Sequence, residues 1–179
     1  MGMKDNSFGR VGVLMGGPSS ERDISLKSGK AVYKSLNQLG LDVIGIDIKT
    51  DQIKENIRLI KSSKINLAFL TLHGRFGEDG SIQGILEALK IPYTGSGVLA
   101  SRLAIDKISS RKIFESSGLR VPRYRQEQKS SYNPDWKIES ELVFPLVIKP
   151  ATGGSSIGLS IVDNEEEVDE SVSMAFSFD

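Results

Sequence analysis

Leu67-Ala-Phe-Leu-Thr-Leu72 runs directly into His73-Gly-Arg-Phe-Gly-Glu-Asp-Gly-Ser-Ile-Gln-Gly84, and the reading of this junction decides the fold. The apolar run reads as a buried strand, and the glycines after it let the backbone turn tightly and approach a ligand. Ser81 to Lys90 then reads as a helix with Ile82, Ile85, Leu86 and Leu89 on one face. A strand, a polar glycine-rich loop and a helix, in that order, mark the carboxyl edge of an α/β sheet, where such folds bind ligands. The alternative is an ordinary strand-to-helix turn that carries a polar histidine.

Outward from this junction, strand and helix alternate. Val11-Gly-Val-Leu-Met15, Leu41-Asp-Val-Ile-Gly-Ile-Asp-Ile48 and Ile65 to Leu72 read as strands, with Ile91-Pro-Tyr-Thr94 a short fourth. Ile24 to Leu39 has a helical pattern, with Ile24, Val32, Leu36 and Leu39 as its apolar stripe and Gly40 as its terminator. Ile53 to Ser63 supplies another helix. The alternation predicts right-handed parallel crossovers in a Rossmann-like α/β domain over residues 1–105. Thr94-Gly-Ser-Gly97 leads into one helix through Ile105, Ile108 and Ile113, ended by Gly118. Gln126 to Glu141 reads as a polar surface loop. Phe144-Pro-Leu-Val-Ile-Lys149 and Ile157-Gly-Leu-Ser-Ile-Val162 are strands around a small-residue loop, Pro150 to Ser156. Asp163 or Asn164 caps a last helix with Val168, Val172, Ala175 and Phe176 inward, so residues 106–179 open a second domain.

Bulk composition narrows the class. A chain of 179 residues can bury one core and part of another. Hydrophobic content of 39% and charged content of 26% suit a soluble globular protein. Lys plus Arg and Asp plus Glu are each 23, so no basic excess is available for nucleic acid. The absence of cysteine excludes a disulfide framework, a thiolate metal site and a cysteine nucleophile, and it fits a reducing cytoplasm. Met1 to Arg10 lacks the apolar centre of a signal peptide, and no apolar run has the length of a membrane span.

Three segments could carry chemistry. Gly16-Gly-Pro-Ser-Ser-Glu-Arg-Asp23 is neither a Walker A loop nor a dinucleotide fingerprint. Ser20 and Asp23 match a capping box, so Glu21 is open to a structural role at a helix start as well as a binding one. His73, the sole histidine, can carry a proton near neutral pH or serve as a plain hydrogen-bonding group. Glu78 could bind substrate or bond backbone donors in its turn. Pro150-Ala-Thr-Gly-Gly-Ser-Ser-Ile-Gly158 is either a hairpin loop or an anion cradle of bare N–H groups and hydroxyls. Lys149, ending an apolar strand, favours the cradle, because a buried charge needs a partner such as phosphate. Lys107 alone reads as an exposed helix lysine.

Together these motifs, in this order, resemble the D-alanine–D-alanine ligases of the ATP-grasp superfamily. The resemblance spans nearly the whole chain and implies that residues 106–179 begin an α+β ATP-grasp domain. It implies that Glu21 salt-bridges the ammonium of the first D-alanine, that His73 orients its acyl group, and that Ser155 closes over the substrate. Lys107 and Lys149, with Gly154, Ser155 and Ser156, would hold the phosphates of ATP. It further implies magnesium as cofactor, a homodimer formed through the N-terminal domain, and a cytoplasmic enzyme of peptidoglycan synthesis. The segment Thr152-Gly-Gly154 departs from many family members, which carry a charged residue there. The adenine strand, the magnesium carboxylates, an arginine and a tyrosine-bearing loop of the family have no counterpart in the sequence, so the 179-residue chain alone is expected to be inactive. A D-alanine–D-lactate ligase, a D-alanine–D-serine ligase and a non-catalytic binding module are the alternatives.

Overall fold

The computed structural model describes residues 8–134, 142–152, 154 and 156–178. It contains two compact units, Met1–Leu103 and Ala104–Asp179. In the first, β1 (Val11–Gly16), β2 (Val43–Ile48) and β3 (Leu67–Leu70) form a parallel sheet in the order β2-β1-β3. α1 (Arg22–Gln38), α2 (Ile53–Ser63) and α3 (Ser81–Ala88) alternate with them. β1 is central and buried along its length, as a parallel strand covered on both faces must be. Alternate side chains of a strand go to opposite faces. Leu14 joins Ile46, Ile48, Ile60, Ile82 and Leu86 in the main core. Met15 faces α1, where a Cβ added at Gly29 would sit 2.5 Å from the Met15 Cβ. The α/β class holds, and only a residue without a side chain fits at that crossing.

The expected stripe of α1 is corrected in part. Ser25 and Gly29 are its buried residues, whereas Ile24 is 51% and Leu39 73% exposed. Small residues win here because the helix backbone rests directly on β1. The Ser20–Asp23 capping box is absent: α1 starts after Glu21 with no side-chain cap. Its other end is as expected. Gly40 has φ +82° and donates to Asn37 O at 3.0 Å, while Leu41 N–H donates to Leu36 O at 3.3 Å, a Schellman closure. The strand expected at Ile91–Thr94 shrinks to one parallel bridge, Ala68 to Tyr93. Pro92 has no N–H with which to lengthen the ladder.

The single helix expected through Ile105, Ile108 and Ile113 is two, α4 (Val98–Ile105) and α5 (Lys107–Ser116). Asp106 breaks it with ψ 105°, and its carboxylate accepts from Ile108 N–H at 2.9 Å and Ser109 N–H at 3.2 Å. Those are donors that a helix start otherwise leaves unpaired. The second unit continues with β4 (Leu146–Ile148) and β5 (Ser160–Val162), a two-stranded antiparallel sheet. A 3₁₀ turn at Glu165–Glu167 enters α6 (Val168–Ala175). Neither Asp163 nor Asn164 caps this end through its side-chain oxygen. Instead the Glu167 carboxylate reaches back to accept from Asp163 N–H at 3.0 Å and the Asn164 amide at 2.9 Å. Val162, Val168 and Val172 form the core here, with Leu146, Ile148 and Phe176 around them. Residues 126–134 contain no helix or strand; the rest of the expected loop, 135–141, lies outside the described residues. Among the described residues no helix is long and apolar enough to cross a membrane.

Candidate functional site

Two loops leave the carboxyl edge of the first unit's sheet, one after β1 and one after β3. Glu21, at the end of the β1 loop, is only 7% exposed. Its carboxylate lies against the backbone of the β3 loop: a side chain added at Gly74, where φ is +67°, would run into Glu21 Oε2. Hydroxyls tie the loops together. Ser19 Oγ accepts from Glu21 N–H at 3.2 Å and donates to His73 O at 2.8 Å. Ser25, wholly buried on α1, accepts from Gly16 N–H at 2.8 Å and donates to Thr71 O at 2.7 Å. On the far side, the Arg22 guanidinium donates to Ile48 O and to Asp47 Oδ2, both at 2.8 Å, fixing the β1 loop to the end of β2.

The His73 ring stands between partners on two elements. Its Nδ1 is 3.7 Å from Glu78 Oε1, and its Nε2 is 3.4 Å from Ser28 Oγ on α1. Glu78 Oε2 also accepts from Gly74 N–H at 2.7 Å, so this carboxylate both bonds backbone and faces the imidazole. Phe76 holds a left-handed φ of +71° while 4% exposed, and its N–H donates to Asp79 Oδ2 at 2.9 Å. A non-glycine residue in that region is strained and needs surrounding structure to hold it. Burial alone would push the Asp79 carboxyl up, but the hydrogen bonds from Phe76 and Ser81, with the Arg75 charge nearby, hold it below its ordinary value.

In the second unit, Lys107 opens α5 and is held to the small-residue loop. Its N–H donates to Ala151 O at 3.0 Å and its Nζ reaches the same oxygen at 3.4 Å. Asp106, its neighbour, accepts from the Ser109 hydroxyl at 2.7 Å. That bond, against burial and aided by the Ser109 and Ile108 N–H groups and the Lys112 charge, holds its carboxyl below the ordinary value. Lys149 is exposed at the end of β4, which removes the desolvation argument for a partner. It still stands two residues before Ala151, so both lysines sit at the base of one loop. Gly154 O accepts from Ile157 N–H at 3.2 Å, and Ser156 adopts φ +59° and is exposed. Ser155 lies outside the described residues. Gly158 closes the loop at φ +71°, where a Cβ would sit 2.6 Å from the Phe178 ring.

The geometry thus brings Glu21, His73 and Glu78 to one edge, and Lys107 to the loop that follows Lys149. Ser19, Ser25, Ser28 and Arg22 do not stand out in the sequence. Their one signal is spacing, with Ser25 and Ser28 a turn apart on the side of α1 that meets β1 and the β3 loop.

Residues 10–58 and 49–96 match the family model described as D-ala D-ala ligase N-terminus, and residues 113–179 the D-ala D-ala ligase C-terminus. A D-alanine–D-alanine ligase of Desulforudis audaxviator is 47% identical over 169 residues, which is 94% of this chain and 54% of the relative. The Bacillus anthracis D-alanine–D-alanine ligase matches with TM-score 0.80 and 36% identity, covering 95% of this chain and 54% of that one. Its complex with ATP matches at 0.79 and 34%, covering 95% of this chain and 55% of that one. The VanG D-Ala:D-Ser ligase of Enterococcus faecalis matches at 0.71 and 29%, covering 94% of this chain and 59% of that one. The chain spans about half the length of the curated relatives it matches. It belongs to the D-alanine–D-alanine ligase family.

Proposed function

We propose that this chain is part of an ATP-dependent ligase that joins two D-alanines into D-alanyl-D-alanine for peptidoglycan synthesis. The observation that carries the reading is Glu21, a carboxylate 7% exposed at the carboxyl edge of a parallel sheet, against the loop that bears His73. A carboxylate withdrawn from bulk water binds an ammonium more strongly than an exposed one. Residues 1–105 would be the domain that binds the first D-alanine, and 106–179 part of the nucleotide-binding domain. The same reading takes the protein to be cytoplasmic and homodimeric through its first domain.

In this mechanism ATP phosphorylates the carboxylate of the first D-alanine. The amine of the second attacks the resulting acyl phosphate, and the tetrahedral adduct releases phosphate. Glu21 holds the first ammonium, and Ser155 closes over the substrate. His73, held between Glu78 and Ser28, orients the acyl group. Lys107 and Lys149, with the backbone and hydroxyls of Gly154, Ser155 and Ser156, neutralise phosphate charge. That is the protein's main task in phosphoryl transfer. ATP as the nucleotide is supported by the Bacillus anthracis neighbour complexed with it. Among the described residues no three His, Cys, Asp or Glu side chains form a cluster that could hold a metal ion. The VanG neighbour favours a second reading, with D-serine as the second substrate, but at lower identity than the D-alanine ligase structures.

Glu21→Gln in the full-length enzyme tests the site. The swap keeps the shape and removes the charge that pairs with the ammonium. A charge-assisted bond contributes about 1.5–3 kcal/mol, so kcat/KM for the first D-alanine should fall roughly ten- to hundredfold with ATP affinity retained. A lowered thermal midpoint with unchanged D-alanine kinetics would return Glu21 to a purely structural role.

A further inference from the structure

The Ser19 hydroxyl joins the two residues on which the proposed substrate site depends. It has one donor hydrogen and two acceptor lone pairs. The donor goes to His73 O at 2.8 Å, and one lone pair accepts Glu21 N–H at 3.2 Å. The bond to His73 O crosses from the β1 loop to the β3 loop, 54 residues apart in sequence, and the bond from Glu21 N–H ties that crossing to Glu21 within the β1 loop. With its only hydrogen committed to the His73 carbonyl, Ser19 has no proton to donate to a substrate. Its part is geometric. The Glu21 carboxylate already lies against Gly74, next to His73, so a shift of either loop changes the gap between carboxylate and imidazole. Neighbouring ties hold other points. The Ser25 hydroxyl joins the ends of β1 and β3 while its N–H donates to Glu21 O at 3.0 Å, and Arg22 joins the β1 loop to β2.

We infer that Ser19 is a positioning residue that sets the Glu21–His73 separation and so tunes affinity for the amino acid whose ammonium Glu21 holds. The inference rests on the proposed role of Glu21. It differs from a plain stabilising role because its effect is routed through one side chain. Loss of the hydroxyl should be felt by the first D-alanine and not by ATP, and should vanish once the Glu21 charge is gone.

The test uses full-length enzyme carrying Ser19→Ala, Ser19→Thr, Glu21→Gln and the Ser19→Ala/Glu21→Gln pair, with thermal midpoints on the same preparations. Ser19→Ala should raise KM for the first D-alanine about three- to tenfold, the range set by one neutral hydrogen bond, and leave KM for ATP unchanged. Ser19→Thr, which keeps the hydroxyl, should recover most of the loss. In the Glu21→Gln background, Ser19→Ala should add less than about twofold, since residues that act through one contact are not additive. Equal rises in both KM values, or full additivity in the double variant, would overturn the inference. If Glu21→Gln impairs D-alanine use and Ser19→Ala does not, the inference fails alone; if Glu21→Gln leaves D-alanine kinetics intact, the site reading fails with it. Should Ser19→Ala not fold, Ser19→Cys, of similar size with a weak donor, is read against the same outcomes.

Discussion

The loop His73–Gly80 in the first unit and the loop Pro150–Gly158 in the second are similar in composition and different in how they are held. Both are rich in glycine and small polar residues. The first is bonded to α1 through Ser28, to the β1 loop through Ser19, and to α3 through Gln83, whose amide donates to Gly77 O at 2.8 Å. It stands on a core of eleven buried side chains. Among the described residues of the second loop, Ile157 N–H donates to Gly154 O, Leu159 N–H donates to Ser156 O, and Lys107 is tied to Ala151. The second unit's buried core cluster, among the described residues, is three valines. The difference fits the two kinds of recognition proposed for these loops. Reading a single ammonium with a carboxylate needs a fixed point, whereas a phosphate chain can be wrapped by backbone N–H groups offered from several sides.

Matched substitutions sharpen the comparison, because the same chemical change can be made in each unit. Val13 in β1 and Val162 in β5 are both almost wholly buried, at 0% and 1% exposure. β1 is flanked by strands on both sides and helices on both faces, so a void there cannot collapse, whereas among the described residues β5 has one strand partner. Val13→Ala should cost roughly 2–3 kcal/mol and Val162→Ala about 1–1.5 kcal/mol in the unit that carries it, read by urea denaturation with residue-level probes. Equal losses would erase the distinction between the cores.

A smaller effect probes the helix ends. Gly40 and Gly118 have φ +82° and +74°, each ends a helix, and a Cβ at either meets nothing within 4 Å. Alanine at each therefore costs only the backbone penalty of a left-handed L-residue, about 1 kcal/mol. The thermal midpoint of the affected unit should drop by a similar free energy in both cases. A markedly larger loss at Gly118 would mean that the second unit depends on that turn for more than local geometry.

Much of this architecture was legible in the sequence, for identifiable reasons. Strands β1 and β2 and helices α2 and α3 were visible because Leu14, Ile46, Ile60, Ile82 and Leu86 repeat at the periods that burial imposes. For the α1 stripe apolarity points to Ile24 and Leu39, whereas close approach to β1 selects Ser25 and Gly29. The break at Asp106 is hidden in the sequence because Ile105, Ile108 and Ile113 hold a helical spacing across it, and the cap Asp106 supplies lies in a carboxylate aimed at two N–H groups. Glu21, His73, Lys107 and Lys149 are singled out by the motif resemblance. The serines that hold the first two are invisible at that level, since a hydroxyl's partner depends on which strand ends the fold brings beside it.

Native-state amide hydrogen exchange on the 179-residue chain measures the central contrast most directly, because it reports protection residue by residue in both units. A site fixed on a large core and a loop on a two-stranded sheet packed against one helix should exchange differently. Amides of Val13, Leu14, Ala68 and Leu86 should exchange at least about a hundredfold more slowly, relative to intrinsic rates, than those of Val147, Ile161 and Val162. Uniform protection across both groups would contradict it.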